Sequence, residues 1–226
     1  MGSGNNWERL VWNQRAVLFE GFQTTLQVCA VSFVWAIAGG LFLCLVRMYV
    51  RPARPLAILL IEFCRATPIL VQLLWVNYVW PELFGWPNSF FGAACVALAL
   101  QSSGYLAETF RGAIEAIPKG HLEAASSLGM SVRRSFIKIV LPQVFLDAAP
   151  SIANQFTVIV KSSALVSVIS VTDLMFQSQK LVNLWYEPVE ILTATAIIYI
   201  SFIAAVSFSS KLLADSIRRR FGLAIT

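Results

Sequence analysis

Long apolar runs alternate with short polar connections along this chain. A helix needs about 20 predominantly apolar residues to cross a bilayer. Gly21 to Val46 carries no charge and satisfies that length. Leu56 to Trp80 predicts a second span, with Glu62 and Arg65 near its start and Thr67-Pro68 able to kink it. Phe90 to Ala107 predicts a third, and Ala148 to Ser170, interrupted only by Lys161, a fourth. Ile191 to Ser210 predicts a fifth. The expected fold is therefore an all-α membrane protein with five transmembrane helices. Trp80-Pro81, Trp86-Pro87 and Trp185-Tyr186 have the character of interfacial aromatic anchors.

The polar connections predict an orientation. Arg47, Arg51 and Arg54 follow the first span. Lys119, Arg133, Arg134 and Lys138 follow the third, and Lys211 with Arg218, Arg219 and Arg220 follow the fifth. The other two connections, with Glu82 and then Asp173, Lys180, Glu187 and Glu190, are neutral to acidic on balance. Basic loops stay in the cytoplasm, so the N-terminus is expected outside and the C-terminus inside. The corresponding division is an extracytoplasmic segment 1–18, a membrane domain 19–217 with a cytoplasmic loop 117–142, and a basic tail 218–226. Residues 1–4 read as a remnant of cloning.

Composition supports the membrane reading: 58% of residues are hydrophobic and 13% charged, with a mean hydropathy of +0.71. Soluble domains carry about twice that share of charge. The net charge of +5 gathers at the ends of apolar runs, which suits a membrane surface rather than nucleic acid. Cys29, Cys44, Cys64 and Cys95 lie in apolar stretches without metal or redox spacing and read as small buried hydrophobes.

The loop after the third span has its own local structure. Ile117-Pro118-Lys119-Gly120 is a break, and His121 to Leu128 reads as a short helix with Glu123 near its start, ended by Gly129. A second amphipathic piece covers Val132 to Val140, which Pro142 is expected to break. A short helix of small residues suits close approach by another protein. An interfacial helix lying among headgroups fits the same composition.

The spacing within this loop goes further. Glu123-Ala124-Ala125, three residues, Gly129, nine residues and Ile139-Val140-Leu141-Pro142 resemble the EAA loop of ABC-importer permeases. Glu62-x-x-Arg65-Ala66-Thr67-Pro68-x-Leu70-Val71-Gln72 looks like the second-span motif of the polar amino-acid branch of that family, with Ala66 where Gly is usual. Ser103-Gly104-Tyr105-Leu106-Ala107-Glu108 followed by Arg111-Gly112 looks like its third-span motif. The resemblance implies a coupling helix formed by Lys119, Gly120, His121, Glu123, Ala124, Ala125 and Gly129, docked in a groove of a separate ATPase subunit. It implies a bacterial inner-membrane permease working by alternating access. Its implied partners are an ATPase dimer, a second permease subunit and an extracytoplasmic solute-binding protein. ATP and Mg2+ belong on the ATPase. This chain has no GxxxxGK[ST] phosphate loop, no HExxH and no GxSxG, so it is expected to bind no cofactor and to catalyse nothing itself.

Polar residues within spans are costly and mark either helix–helix contacts or a solute route. Gln72, Gln101, Tyr105, Asn154, Gln155, Lys161 and Ser162 form the candidate route, with Lys161, Asn154 and Gln155 at its centre. Gln101 and Ser102 suit interhelical hydrogen bonds equally well. Glu108 is expected to pair with Arg111 or a lysine, and Glu62 with Arg65. The branch often carries acids where this chain has Gln155 and Ser162, which weakens the case for a cationic amino acid and leaves neutral, acidic or modified ones, opines included. A self-sufficient carrier or channel is the rival class, yet the internal repeats and midplane carboxylates of many carriers are not evident.

Overall fold

The computed structural model describes residues 12–220. The first 11 residues of the expected N-terminal segment and residues 221–226 of the expected basic tail lie outside the described residues. Those described are almost entirely helical, with no strand among them. Four helices are long and apolar enough to cross a membrane, and a bent pair makes a fifth span if it counts as one.

Helix α1 (Arg15–Tyr49) packs along α5 (Phe90–Glu115). Its buried face includes Gly21, Thr25, Val28, Ser32, Ala36, Gly40 and Cys44, at spacings of three and four. Such a stripe of small residues lets two backbones approach closely where lipid gives helices no hydrophobic reason to associate. Helix α5 is the central element: 61% of its most apolar window is buried, against 17% for α10 (Pro188–Arg220). The main core cluster surrounds it, with Leu98, Leu106 and Phe110 fully enclosed.

The second predicted span is broken in two. Helices α2 (Arg54–Ala66) and α3 (Ile69–Tyr78) meet at Thr67-Pro68 with a bend of 109°. Pro68 pushes Thr67 into an extended conformation, ψ 129°, which ends α2. A short α4 (Trp80–Phe84) follows, and Trp80 makes edge contacts with Trp75 and Phe84 in an aromatic cluster.

After α5 come α6 (Lys119–Ser127), the single turn α7 (Val132–Ser135) and α8 (Leu141–Ser163). The chain does not break at Pro142, contrary to the sequence expectation. It stays helical through a π-type turn at Phe136–Val140, and Pro142 sits in the first turn of α8, where no intrahelical N–H is required of it. Residues Ala164–Ile169 tighten into a 3-10 turn.

Helix α9 (Leu174–Trp185) has no counterpart in the sequence expectation. Asp173 caps it, its Oδ1 accepting from the Phe176 N–H at 2.9 Å, while the Tyr199 hydroxyl donates to Oδ2 at 3.4 Å. Complete burial pushes the Asp173 carboxyl up to about 6. The Leu174 N–H donates to Thr25 Oγ1 at 3.1 Å, and Ser178 and Thr195 share a hydrogen bond of 2.6 Å. Helix α9 thereby joins α1 to α10.

Candidate coupling helix and polar residues of the spans

Helix α6 is built from local signals. Pro118 precedes it, the His121 N–H donates to the Pro118 carbonyl at 3.0 Å, and the helix starts at Lys119, two residues earlier than expected. Glu123 therefore lies mid-helix rather than in the dipole-favoured first turn. Gly129 has φ +71°, and its N–H donates to Ser126 O at 2.9 Å while the Met130 N–H donates to Ala125 O at 3.0 Å. These two bonds are a Schellman closure, which favours glycine at the left-handed position.

The helix presents one face outward. Gly120, His121, Glu123, Ala124 and Gly129 are exposed, whereas Ala125 is turned inward and buried. His121 Nδ1 lies 3.1 Å from Gln143 Oε1, tying the start of α6 to the first turn of α8. The Lys119 side chain lies outside the described residues. Behind α6, Tyr49, Ile117, Phe136 and Val140 line an open pocket, and the Tyr49 and Phe136 rings meet edge to face. Arg133, Arg134 and Lys138 are exposed beside it.

The polar residues of the spans divide into two groups. Gln72 is buried and its amide donates to the Cys64 carbonyl at 2.9 Å, across the α2–α3 break. Gln155 is buried and donates to Ser102 Oγ at 3.1 Å, joining α8 to α5. Asn154, Lys161 and Tyr105 are exposed, and Gln101 and Ser162 are half-buried. Glu108 pairs with Arg111 at 2.8 Å and also with Arg47 of α1. Arg65 pairs with Glu62 at 3.0 Å, and the Tyr105 hydroxyl donates to the Arg65 carbonyl at 3.4 Å. Among the described residues no group of three or more His, Cys, Asp or Glu side chains comes together as a metal site.

Residues 36–222 match the family model described as "Binding-protein-dependent transport system inner membrane component". The chain belongs to that family. The arginine transport system permease protein ArtQ of Bacillus subtilis (strain 168) is 33% identical over 195 residues, covering 86% of this chain and 89% of that one. The glutamine transport system permease protein GlnP of Escherichia coli (strain K12) is 31% identical over 207 residues, covering 88% and 91%. Among solved structures, an amino acid ABC transporter crystallised with histidines matches with a TM-score of 0.82 at 33% identity, covering 90% of this chain and 95% of that one. The MetNI methionine ABC transporter in an inward-facing conformation matches with a TM-score of 0.78, covering 91% and 98%, and its 17% identity shows likeness of fold alone. The resemblance to an ABC-importer permease, read from the spacing of Glu123 to Pro142, and to its amino-acid branch, read from Glu62 to Gln72 and Ser103 to Gly112, is borne out.

Sequence reasoning missed several contacts of this permease. Arg47 appeared only as an orienting charge, although it is a partner of Glu108. The buried group of Thr25, Asp173 and Tyr199 left only one trace, an Asp immediately before Leu174 where an N-cap belongs.

Proposed function

We propose that the chain is the membrane-spanning subunit that carries a polar amino acid, or a close derivative, inward across the bacterial cytoplasmic membrane by alternating access. A separate ATPase dimer that binds ATP and Mg2+ supplies the energy. A second permease subunit and an extracytoplasmic binding protein complete the importer. The observation that carries this reading is α6: a nine-residue helix between two membrane-spanning elements, closed by Gly129 and exposing Glu123 and Ala124. A small-residue helix of that kind fits a groove, and a groove that closes on nucleotide binding need only bias the bundle between two packings.

The solute route is proposed along Gln101, Tyr105, Asn154, Lys161 and Ser162, the members of the candidate set with exposed or half-buried side chains. Gln72 and Gln155 hold the walls of that route through the bonds described above. Arginine and glutamine are in the names of two relatives. With Gln155 and Ser162 in place of acids, this chain suits a neutral or acidic amino acid better than a cationic one.

The test is reconstitution of the whole importer in proteoliposomes with a labelled L-amino-acid mixture. Glu123→Lys, or Gly129→Asp at the glycine the closure favours, is expected to leave the bundle folded and to uncouple ATP hydrolysis from uptake or release the ATPase. Uptake at unsubstituted rates in both variants would remove the docking role.

A further inference from the structure

The break between α2 and α3 carries an ion pair that the coupling role does not use. Helix α2 has 13 residues and α3 has 10. At 1.5 Å per residue they span only ~20 and ~15 Å, so neither alone crosses a hydrocarbon core of about 30 Å. They pass as an apolar span only together. Taken as one broken span, the segment has Arg65 in the turn just before its break and Glu62 three residues earlier.

The surroundings of the break are fixed. Thr67 Oγ1 donates to the Phe63 carbonyl at 2.8 Å, and Gln72 donates to the Cys64 carbonyl. Gly104 lets α5 press against this turn: a Cβ there would lie 2.8 Å from Cys64 Cβ and 3.1 Å from Arg65 Cγ. The Arg65 guanidinium lies 5.6 Å from the Tyr105 ring centre, and its Nε is buried with no partner. The outer side of the pair is open, with 34% of the Arg65 side chain and 57% of the Glu62 side chain exposed. An i,i+3 pair on a helix contributes only about 0.2–0.5 kcal/mol. Each charge costs several times that within a bilayer unless it faces water, a cavity or further charge. The pair's own attraction therefore does not account for its position.

We infer that Glu62 and Arg65 bind the charged backbone groups of an α-amino acid, with Arg65 taking the carboxylate and Glu62 the ammonium group. A guanidinium matches a carboxylate with two parallel N–H donors, and a glutamate accepts from an ammonium. In the zwitterion those two charges are one carbon apart, and in the site their partners are 3.0 Å apart. The solute's charges replace the site's own pairing without adding net charge. Tyr105 holds the guanidinium from one side and leaves its remaining edge to the solute. Every α-amino acid shares these two groups, so this pair recognises the class and leaves side-chain selection to residues such as Asn154 and Lys161.

The inference rests on the importer function proposed above. It is tested in the complete reconstituted importer, with a labelled L-amino-acid mixture as the probe. Arg65→Gln and Glu62→Gln are each expected to reduce uptake at least about tenfold, the loss of one charged hydrogen bond. The permease and ATPase should still elute as one complex. The exchanged variant Glu62→Arg/Arg65→Glu should remain inactive, because the solute's carboxylate and ammonium would meet the wrong partners. Recovery of uptake in that variant would make the pair a structural ion pair and overturn the inference. Loss of the complex in the single variants would make it a contact between subunits, with the same consequence. Uptake that survives both substitutions overturns this inference alone. No uptake by the unsubstituted importer overturns the proposed function and this inference with it.

Discussion

Two glycines on α5 have opposite consequences, because one is enclosed and the other is not. A Cβ at Gly104 would stand 2.8 Å from Cys64 Cβ and 3.0 Å from the Ile61 carbonyl oxygen, and a backbone oxygen has little room to retreat. A Cβ at Gly112 would meet nothing within 4 Å. Gly104→Ala is therefore expected to destabilise the α2–α5 contact by about 1–3 kcal/mol. Gly112→Ala gains helix propensity of up to about 1 kcal/mol. Thermal unfolding of the purified protein in detergent should shift down for the first and up, or not at all, for the second. Equal shifts would show that close approach at Gly104 is not what the residue is for. The sequence marks Gly104 as part of a motif and gives its helical face, but not the element it touches. Gln72 is a parallel case: its bond to the Cys64 carbonyl exists because the chain turns by 109° between them, a bend whose size is decided by packing.

At the scale of elements, local chemistry made α6 readable and distant chemistry made other contacts unreadable. Ala124, Ala125 and Gly129 carry a helix and its closure within a few residues, so spacing alone predicted them. The tie between the C-terminal ends of α1 and α5 depends instead on Arg47 and Glu108, 61 positions apart. Glu108 there accepts from two guanidiniums, those of Arg47 and Arg111, and is 21% exposed. Glu115 accepts from Arg111 at 2.6 Å but is 57% exposed, where solvent screens the pair. Glu108→Gln should therefore lower thermal stability distinctly, leaving two part-buried cations poorly compensated. Glu115→Gln should change it by no more than about 1 kcal/mol. The two melting midpoints, measured side by side in one detergent, decide the matter: a Glu115→Gln shift as large as that of Glu108→Gln would remove the special role of the α1–α5 tie. Helix α9 was missed for a related reason. Its 12 residues are too short to read as a span, and the bonds that hold it, to Thr25 and Thr195, come from helices remote in sequence.

For the whole molecule, hydropathy accounts for the all-α class and for four helices of spanning length, five when α2 and α3 count as one, and the positions of basic residues predict an orientation. Helix α5 separates two exposed positions, Asn88 before it and Ala124 beyond its far end. Its 26 residues measure ~39 Å at 1.5 Å each, more than the hydrocarbon core, so the two positions should face opposite compartments. The four native cysteines are all buried, so an introduced thiol should react against a low background. A membrane-impermeant maleimide is expected to label Asn88→Cys in intact cells and Ala124→Cys only in inverted vesicles. Ala125→Cys, at the buried neighbour, should resist labelling from either side. Docking of an ATPase on α6 should then protect Ala124→Cys, and stripping that subunit from the vesicles should restore its reactivity. Labelling of Asn88→Cys and Ala124→Cys from the same side would remove α5 as a span. Labelling with the two sides exchanged would keep α5 as a span, reverse the orientation, and put α6 out of reach of any cytoplasmic ATPase.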